Sequence, residues 1–263
     1  NFSDIKAGQG SDTFKYLTNG KWLGTIDGGQ GVNTIETTGS SLDQVFGVFD
    51  TSLNQSTLLT NINDIRVNTS VNNSLVSTAR SNNIEIDQQG RGVINNTLSF
   101  SGIDTIITGE FNDAFKLANT DQLTGKIVAG AGTDTLDLTS VNKLITVSLN
   151  TAKSANLRID GIESINANTR FDNQLFGNDT NNSWLITGQG KGSLNNIIDF
   201  QGFSTLYGGN KNDTFTFSTN SSWIRKGVYG GLGSDIVDYS GGGRAVRFDI
   251  NPNEASVDVG ALA

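Results

Sequence analysis

Apolar and polar residues alternate in short runs along the whole chain. Ile145-Thr146-Val147-Ser148-Leu149, Asp213-Thr214-Phe215-Thr216-Phe217 and Val246-Arg247-Phe248-Asp249-Ile250 all carry a period of two. That period sends alternate side chains to opposite faces of a strand, so each run predicts a strand with one buried face. β-Branched residues and Phe fill the apolar positions, which suits a pleated, half-buried surface. Gly or Asn clusters bound nearly every run, so the strands are short and end in turns. Only stretches such as Ser40–Gln44 allow a turn of helix. The pattern predicts an all-β chain of many short strands, which also suits a sandwich or a propeller.

Internal repetition narrows the choice. Asn95-Asn96-Thr97-Leu98-Ser99-Phe100-Ser101-Gly102 returns 100 residues later as Asn195-Asn196-Ile197-Ile198-Asp199-Phe200-Gln201-Gly202. At the same separation, Gln89-Gly90-Arg91-Gly92 returns as Gln189-Gly190-Lys191-Gly192. Asn112-Asp113-Ala114-Phe115 likewise returns as Asn212-Asp213-Thr214-Phe215, and Ile62 and Ile65 as Ile162 and Ile165. An earlier, partial copy carries Gly10-Ser11-Asp12-Thr13-Phe14. A second turn, Gly28-Gly29-Gln30-Gly31-Val32-Asn33, recurs over residues 129–134 and 230–235. No Pro- or Ser-rich linker separates the copies. The chain therefore reads as one continuous body, 1–263, with a partial first repeat at 1–61, a second at 62–161 and a third at 162–263.

Within each copy the two turns lie 21 or 22 residues apart: Asp12 to Asn33, Asp113 to Asp134 and Asp213 to Asp235. That is the length of one coil of a parallel β-solenoid, whose coils stack about 4.8 Å apart. A roughly hundred-residue unit then holds about four or five coils. Aliphatic residues would form the inner ladders. Asn, Thr and Ser would sit at the corners, where stacked Asn side chains bond along the axis.

Composition bounds the chemistry. The chain has 32 Gly and 1 Pro, and no Cys, Met or His. Without Met, and beginning at Asn1, it reads as a piece of a longer product. A net charge of −8 disfavours nucleic acid and anionic lipid as partners. It suits divalent cations, and equally an acidic, solvated surface. The absence of Cys and His removes disulfides, thiolate chemistry and His-based triads. No window reaches the ~18 apolar residues of a membrane-spanning helix. The carboxylate pairs Asp134/Asp137 and Asp235/Asp238, three residues apart in strands, fall on opposite faces. Their recurrence points to architecture, so no enzyme is expected. Trp22 and Trp223 occupy similar places, with Leu123 in the middle copy, and read as packing at a coil edge or as sugar-stacking aromatics. Trp184 falls near Glu85 of the preceding copy and so outside any fixed ladder.

Residues 230–239, Gly208-Gly209-Asn210-Lys211-Asn212-Asp213-Thr214-Phe215 and Ala7-Gly8-Gln9-Gly10-Ser11-Asp12-Thr13-Phe14 resemble the G-G-x-G-x-D-x-U-x nonapeptide of RTX, or hemolysin-type calcium-binding, proteins. With Asn182-Ser183-Trp184-Leu185-Ile186-Thr187-Gly188, the longer unit is similar to the hundred-residue repeats of very large bacterial surface and adhesin-like proteins. The resemblance covers essentially the whole chain. It implies Ca²⁺ as cofactor, held by Asp12, Asp113, Asp134, Asp213 and Asp235 with backbone carbonyls of the Gly-rich turns. The sequence departs from that family in three ways. The nonapeptides are not in tandem, Asn33 replaces Asp in the first copy, and Gly109-Glu110-Phe111-Asn112 has lost most of its glycines. The residues alone equally allow Asp as a turn former that bonds backbone amides.

The functional expectation is a structural or adhesive segment, a stalk or fibre element of a large secreted or cell-surface bacterial protein, stabilised by Ca²⁺ and extracellular. Its partners would be neighbouring repeats of the same chain or an end-to-end homopolymer, with surface glycans or matrix as further candidates. Neither nucleic acid nor membrane insertion is expected. The alternative is a carbohydrate-binding or carbohydrate-active β-helix, with its site at loops that break the period, such as 54–60 and 68–73.

Overall fold

The computed structural model describes residues 3–49, 57–121, 125–149, 155–242, 246–251 and 256–261. Strands are the regular elements among them, and no helix occurs. The chain divides into two compact units, residues 1–135 and 136–263.

The first unit contains β1 (Asp4–Lys6), β2 (Thr13–Lys15), β3 (Gly24–Asp27), β4 (Thr34–Thr37), β5 (Val45–Val48), β6 (Thr57–Thr60) and β7 (Asp64–Val67). It continues with β8 (Ser74–Val76), β9 (Asn83–Ile86), β10 (Gly92–Ile94), β11 (Leu98–Ser101), β12 (Thr105–Ile107), β13 (Ala114–Leu117) and β14 (Ile127–Val128). One sheet runs β1-β3-β6-β5-β8-β12-β14 and the other β2-β4-β7-β11-β10-β9-β13. The chain passes back and forth between them, so a strand of one sheet lies on the connection that joins two parallel strands of the other. Leu75 lies between Phe46 and Ile106, Ile35 between Phe14 and Ile65, and Ile84 beside Phe115. All but Phe14 are buried. These inward ladders are the apolar positions of the alternating runs, each large side chain contributing about 1.5–3 kcal/mol by burial.

β15 (Thr135–Leu138) spans the division. The second unit contains β16 (Thr146–Ser148), β17 (Leu157–Asp160), β18 (Ser164–Ala167), β19 (Gln174–Phe176), β20 (Ser183–Gly188), β21 (Lys191–Leu194) and β22 (Ile198–Gln201). It ends with β23 (Thr205–Gly209), β24 (Thr214–Phe217), β25 (Val228–Gly231), β26 (Ile236–Asp238), β27 (Val246–Asn251) and β28 (Ser256–Ala261). Its sheets run β17-β16-β19-β23-β25-β28-β27 and β18-β22-β21-β20-β24-β26. Trp184 is fully buried, stacked on Phe215 at 5.7 Å and edge-on to Phe200 at 5.8 Å. On the outward side of the other sheet, Phe176, Tyr207 and Tyr229 stack in register at 4.0 and 4.7 Å. Tyr207 has both faces covered by its neighbours, so the column packs along the sheet.

Three expectations need correction. The winding is not parallel throughout: β9-β10-β11 and β20-β21-β22 are antiparallel meanders, and β25-β28-β27 also pair antiparallel. The first reversal of each meander turns at Gly90 and Gly190, both at positive φ; the second is made by the Asn pair. Asn95 and Asn96 have φ of 53° and 54°, Asn195 and Asn196 of 55° and 53°. Thr97 N–H bonds Ile94 O, and Ile197 N–H bonds Leu194 O, each at 3.1 Å. Two central residues at positive φ make a type I′ hairpin, and Asn tolerates that conformation. Second, Trp184 is a ladder residue. It faces Phe215 as Ile84 faces Phe115, so its counterpart is buried Ile84 and not Glu85. Third, Ser40–Gln44 is not helical. Gln44 Nε2 donates to Gly20 O, Ser40 Oγ and Leu42 O at 2.9–3.2 Å, which folds the segment into a corner. Trp22 and Trp223 are half-buried, while Leu123 and residues 54–56 lie outside the described residues.

Candidate functional site

Each acidic residue singled out by the Gly-rich turns sits one position before a strand: Asp12 before β2, Asp113 before β13, Asp134 before β15, Asp213 before β24 and Asp235 before β26. There its side chain can turn back and accept from a backbone N–H that the ladder leaves open. The acceptor serves the neighbouring turn. Asn82 N–H donates to Asp113 Oδ1 at 2.6 Å, and Asp113 N–H to Asp134 Oδ1 at 2.7 Å. In the second unit, Asn182 N–H donates to Asp213 Oδ1 at 2.8 Å, and Asp213 N–H to Asp235 Oδ1 at 2.9 Å. Asp12 N–H bonds Asn33 Oδ1 at 2.9 Å, and Asn33 N–H bonds Asn63 Oδ1 at 2.8 Å. The result is a directional chain in which each turn donates to the side chain of the next. The structure thus joins Asp113 to Asp134 and Asp213 to Asp235, and joins Asp12 to an Asn row.

Asn and Asp occupy the same places but leave different chemistry behind. Asn182 Nδ2 donates to Asn178 O and Thr180 O at 2.9 Å and to Gly208 O at 3.0 Å. Asn82 Nδ2 does the same for Ser77 O and Arg80 O at 2.9 and 2.8 Å. The amide closes its own turn. An Asp there presents oxygen instead. Asp113 and Asp213 are 2% and 0% exposed, and their Oδ2 atoms are buried without a hydrogen-bond donor.

Gly208 shows what Oδ2 faces. A Cβ at Gly208 would collide with Asp213 Oδ2 and lie 2.6 Å from Gly230 O. At the matching Gly28, a Cβ would collide with Asn61 O and lie 2.6 Å from Asn33 Nδ2, a pair hydrogen-bonded at 2.9 Å. The corresponding atoms of the Asp turn, Asp213 Oδ2 and Gly230 O, are both acceptors. Burial pushes the Asp213 carboxyl above its ordinary range, against the opposing bonds from Asn182; the charges of Asp235 and Asp179 add to the rise.

A buried carboxylate oxygen without a donor is relieved by a proton or a cation. The donor set of carboxylate and carbonyl oxygens suits a hard cation such as Ca²⁺. Among the described residues no group of three or more His, Cys, Asp or Glu gathers to hold a metal. A cation in these turns would therefore rest on one carboxylate with backbone carbonyls and water.

A second row of corners escaped the sequence reading. Gln44 N–H donates to Asn73 Oδ1 at 3.3 Å and Asn73 N–H to Asp104 Oδ2 at 2.7 Å. Ile145 N–H donates to Asn173 Oδ1 at 3.2 Å in the second unit. Asn73 and Asn173 stand 100 residues apart, which was the available signal. No Gly-rich motif marks them. No family model, curated protein or solved structure matches the chain.

Proposed function

We propose that the chain is a stretch of parallel β-solenoid built from about hundred-residue repeats, acting as a stiff structural or adhesive element of a large secreted or cell-surface bacterial protein. The two-sheet, mostly parallel architecture supports this reading. The observation that carries it is the directional row of side-chain bonds from turn to turn, Asn182 to Asp213 to Asp235. Such rows tie each level to the next and add about 1 kcal/mol per bond. They make a body whose partners are further levels of the same kind, within one chain or end to end between chains. The strands β1 and β2 each pair on one side only among the described residues, and an open strand edge accepts another strand.

Ca²⁺ belongs to the same reading. It would be held at Asp12, Asp113 and Asp213, where a buried carboxylate oxygen lacks a donor, with Asp134 and Asp235 as the remaining candidates. The ion would supply the positive charge that the amide supplies in the Asn turns and would favour the folded state outside the cell. Thermal melts followed by circular dichroism, in excess chelator and in millimolar Ca²⁺, test it. At a hundredfold excess over Kd, binding adds about 2.7 kcal/mol, a midpoint rise of about 5–11 °C. Identical melts would leave the Asp residues as turn formers in a metal-independent rod.

A further inference from the structure

The repeats provide an internal control for function. Copies differ at positions that only pack, as Ile84 and Trp184 do, so a departure is informative where several fall together on the wall of a groove. One such groove lies wholly in the second unit. It encloses ≈ 400 Å³ and is lined by Thr169, Phe171, Gln189, Gln201, Ser204 and Arg225. One hundred residues earlier the chain carries Thr69, Val71, Gln89, Ser101 and Asp104. Thr and Gln are kept. Val becomes Phe, Ser becomes Gln and Asp becomes Ser.

The Phe and Gln changes add recognition chemistry, and the Ser change removes a buried charge. Asp104 is buried and spends Oδ2 on Asn73 N–H. Ser204 is shorter and uncharged, and donates to Asn173 O at 3.3 Å. Phe171 sets an aromatic ring, half-exposed, on the groove wall. Gln201 joins Gln189 at the exposed rim, giving two amides that both donate and accept. Arg225 pairs with Asp172, and Lys226 Nζ lies 3.6 Å from the same carboxylate. Two cations share one anion, a local positive excess on a chain of net charge −8. The floor is already satisfied. Gly190 N–H bonds Trp223 O at 3.0 Å, while Gly202 and Phe203 N–H bond Gly190 O at 2.9 and 3.3 Å. With those amides spent, the groove lacks the backbone donors that phosphate sites use.

We propose that this groove binds an acidic saccharide, a sugar unit bearing a carboxylate. The carboxylate lies toward Arg225 and Lys226, the hydroxyls bond Gln189, Gln201 and Thr169, and the apolar ring face packs on Phe171. The groove volume falls in the range of small-ligand sites. The site is independent of the Asp turns.

Isothermal titration of the whole chain tests it, with a short hyaluronan oligosaccharide and sialyllactose as acidic probes and a chitin oligosaccharide as the neutral one. At least one acidic probe binds, more weakly as salt rises, and the neutral probe binds at least about tenfold more weakly. Phe171→Val and Gln201→Ser, which restore the residues of the preceding copy and so keep a fold that copy already tolerates, and Arg225→Gln each raise Kd about tenfold. Circular dichroism confirms that each variant is folded. No heat with either acidic probe, equal affinity for the neutral probe, or unchanged affinity in all three variants overturns the proposal.

Discussion

Asn and Asp differ by one group, NH₂ against O, and in these turns that group meets carbonyl oxygens. Asn182 resolves the meeting by donating; Asp213 brings a second acceptor to it. An unsatisfied buried acceptor costs about 1–3 kcal/mol. Asp213→Asn should therefore raise stability in chelator at neutral pH by about 1–3 kcal/mol, read from urea midpoints at constant slope. The reverse change, Asn182→Asp, removes the donations to Asn178, Thr180 and Gly208 and brings a new carboxylate against Asp213. It should cost about 2–4 kcal/mol. If Asp213→Asn leaves the chelator midpoint unmoved or lower, the Asp turn carries no strain to relieve and the cation reading loses its physical basis. Gly208 is tied to the same geometry, because any Cβ there collides with Asp213 Oδ2.

The strands follow the alternating runs closely, because period two is a local signal and the buried residues Phe115, Phe215 and Phe217 fall on it. Asp12, Asp134 and Asp235 were visible for the same reason, as Gly-x-Asp before a strand is a local pattern; Asp113 and Asp213 follow Asn112 and Asn212 and were visible through the repeat. The meanders were not. Their second hairpins rest on Asn95-Asn96 and Asn195-Asn196 rather than on Asn-Gly, their first on longer turns at Gly90 and Gly190, and a repeat of 100 residues reads the same whether the strands inside it run parallel or reverse. Which Asp meets which Asn depends on strand register. Register joins Asn182 to Asp213, 31 residues on, and Asp213 to Asp235, 22 residues on, so no fixed spacing announces the row. The hairpin itself is open to test. Asn195 bonds Ser183 N–H at 2.8 Å and Asn182 Oδ1 at 3.1 Å, whereas Asn196 serves the turn through its backbone. Asn196→Gly should be neutral or stabilising by up to about 1 kcal/mol, and Asn196→Val should cost about 1–2 kcal/mol. Equal midpoints for the two variants would mean that the positive φ at this position is not what reverses the chain.

Across the whole molecule two sets of carboxylates respond to pH with opposite sign. Asp213 has its folded value raised, chiefly by burial. Its contribution is full below the unfolded value of about 3.9 and is lost as pH rises through the raised folded value. Asp27 is held low by the Asn61 amide and the Gly29 N–H, and Glu36 by Lys15 and Thr38. Their contributions are present above about 4 and are lost as pH falls through the lowered values. The wild-type curve mixes the two, so its shape alone identifies neither. The difference between Asp213→Asn and wild type cancels the exposed groups and leaves the buried one. In chelator that difference should be smallest below about pH 4, grow as pH rises and level off once Asp213 is ionised. Saturating Ca²⁺ at neutral pH should shrink or reverse it, because the ion favours the charged carboxylate, whereas an amide whose Oδ1 stays on Asn182 N–H puts a donor where Oδ2 stood. A difference that stays constant from acid to neutral pH would show that Asp213 keeps one protonation state throughout. A difference that grows with pH but ignores Ca²⁺ would make the turn a proton site, closed by a carboxylic acid that stands in for the Asn of the neighbouring level.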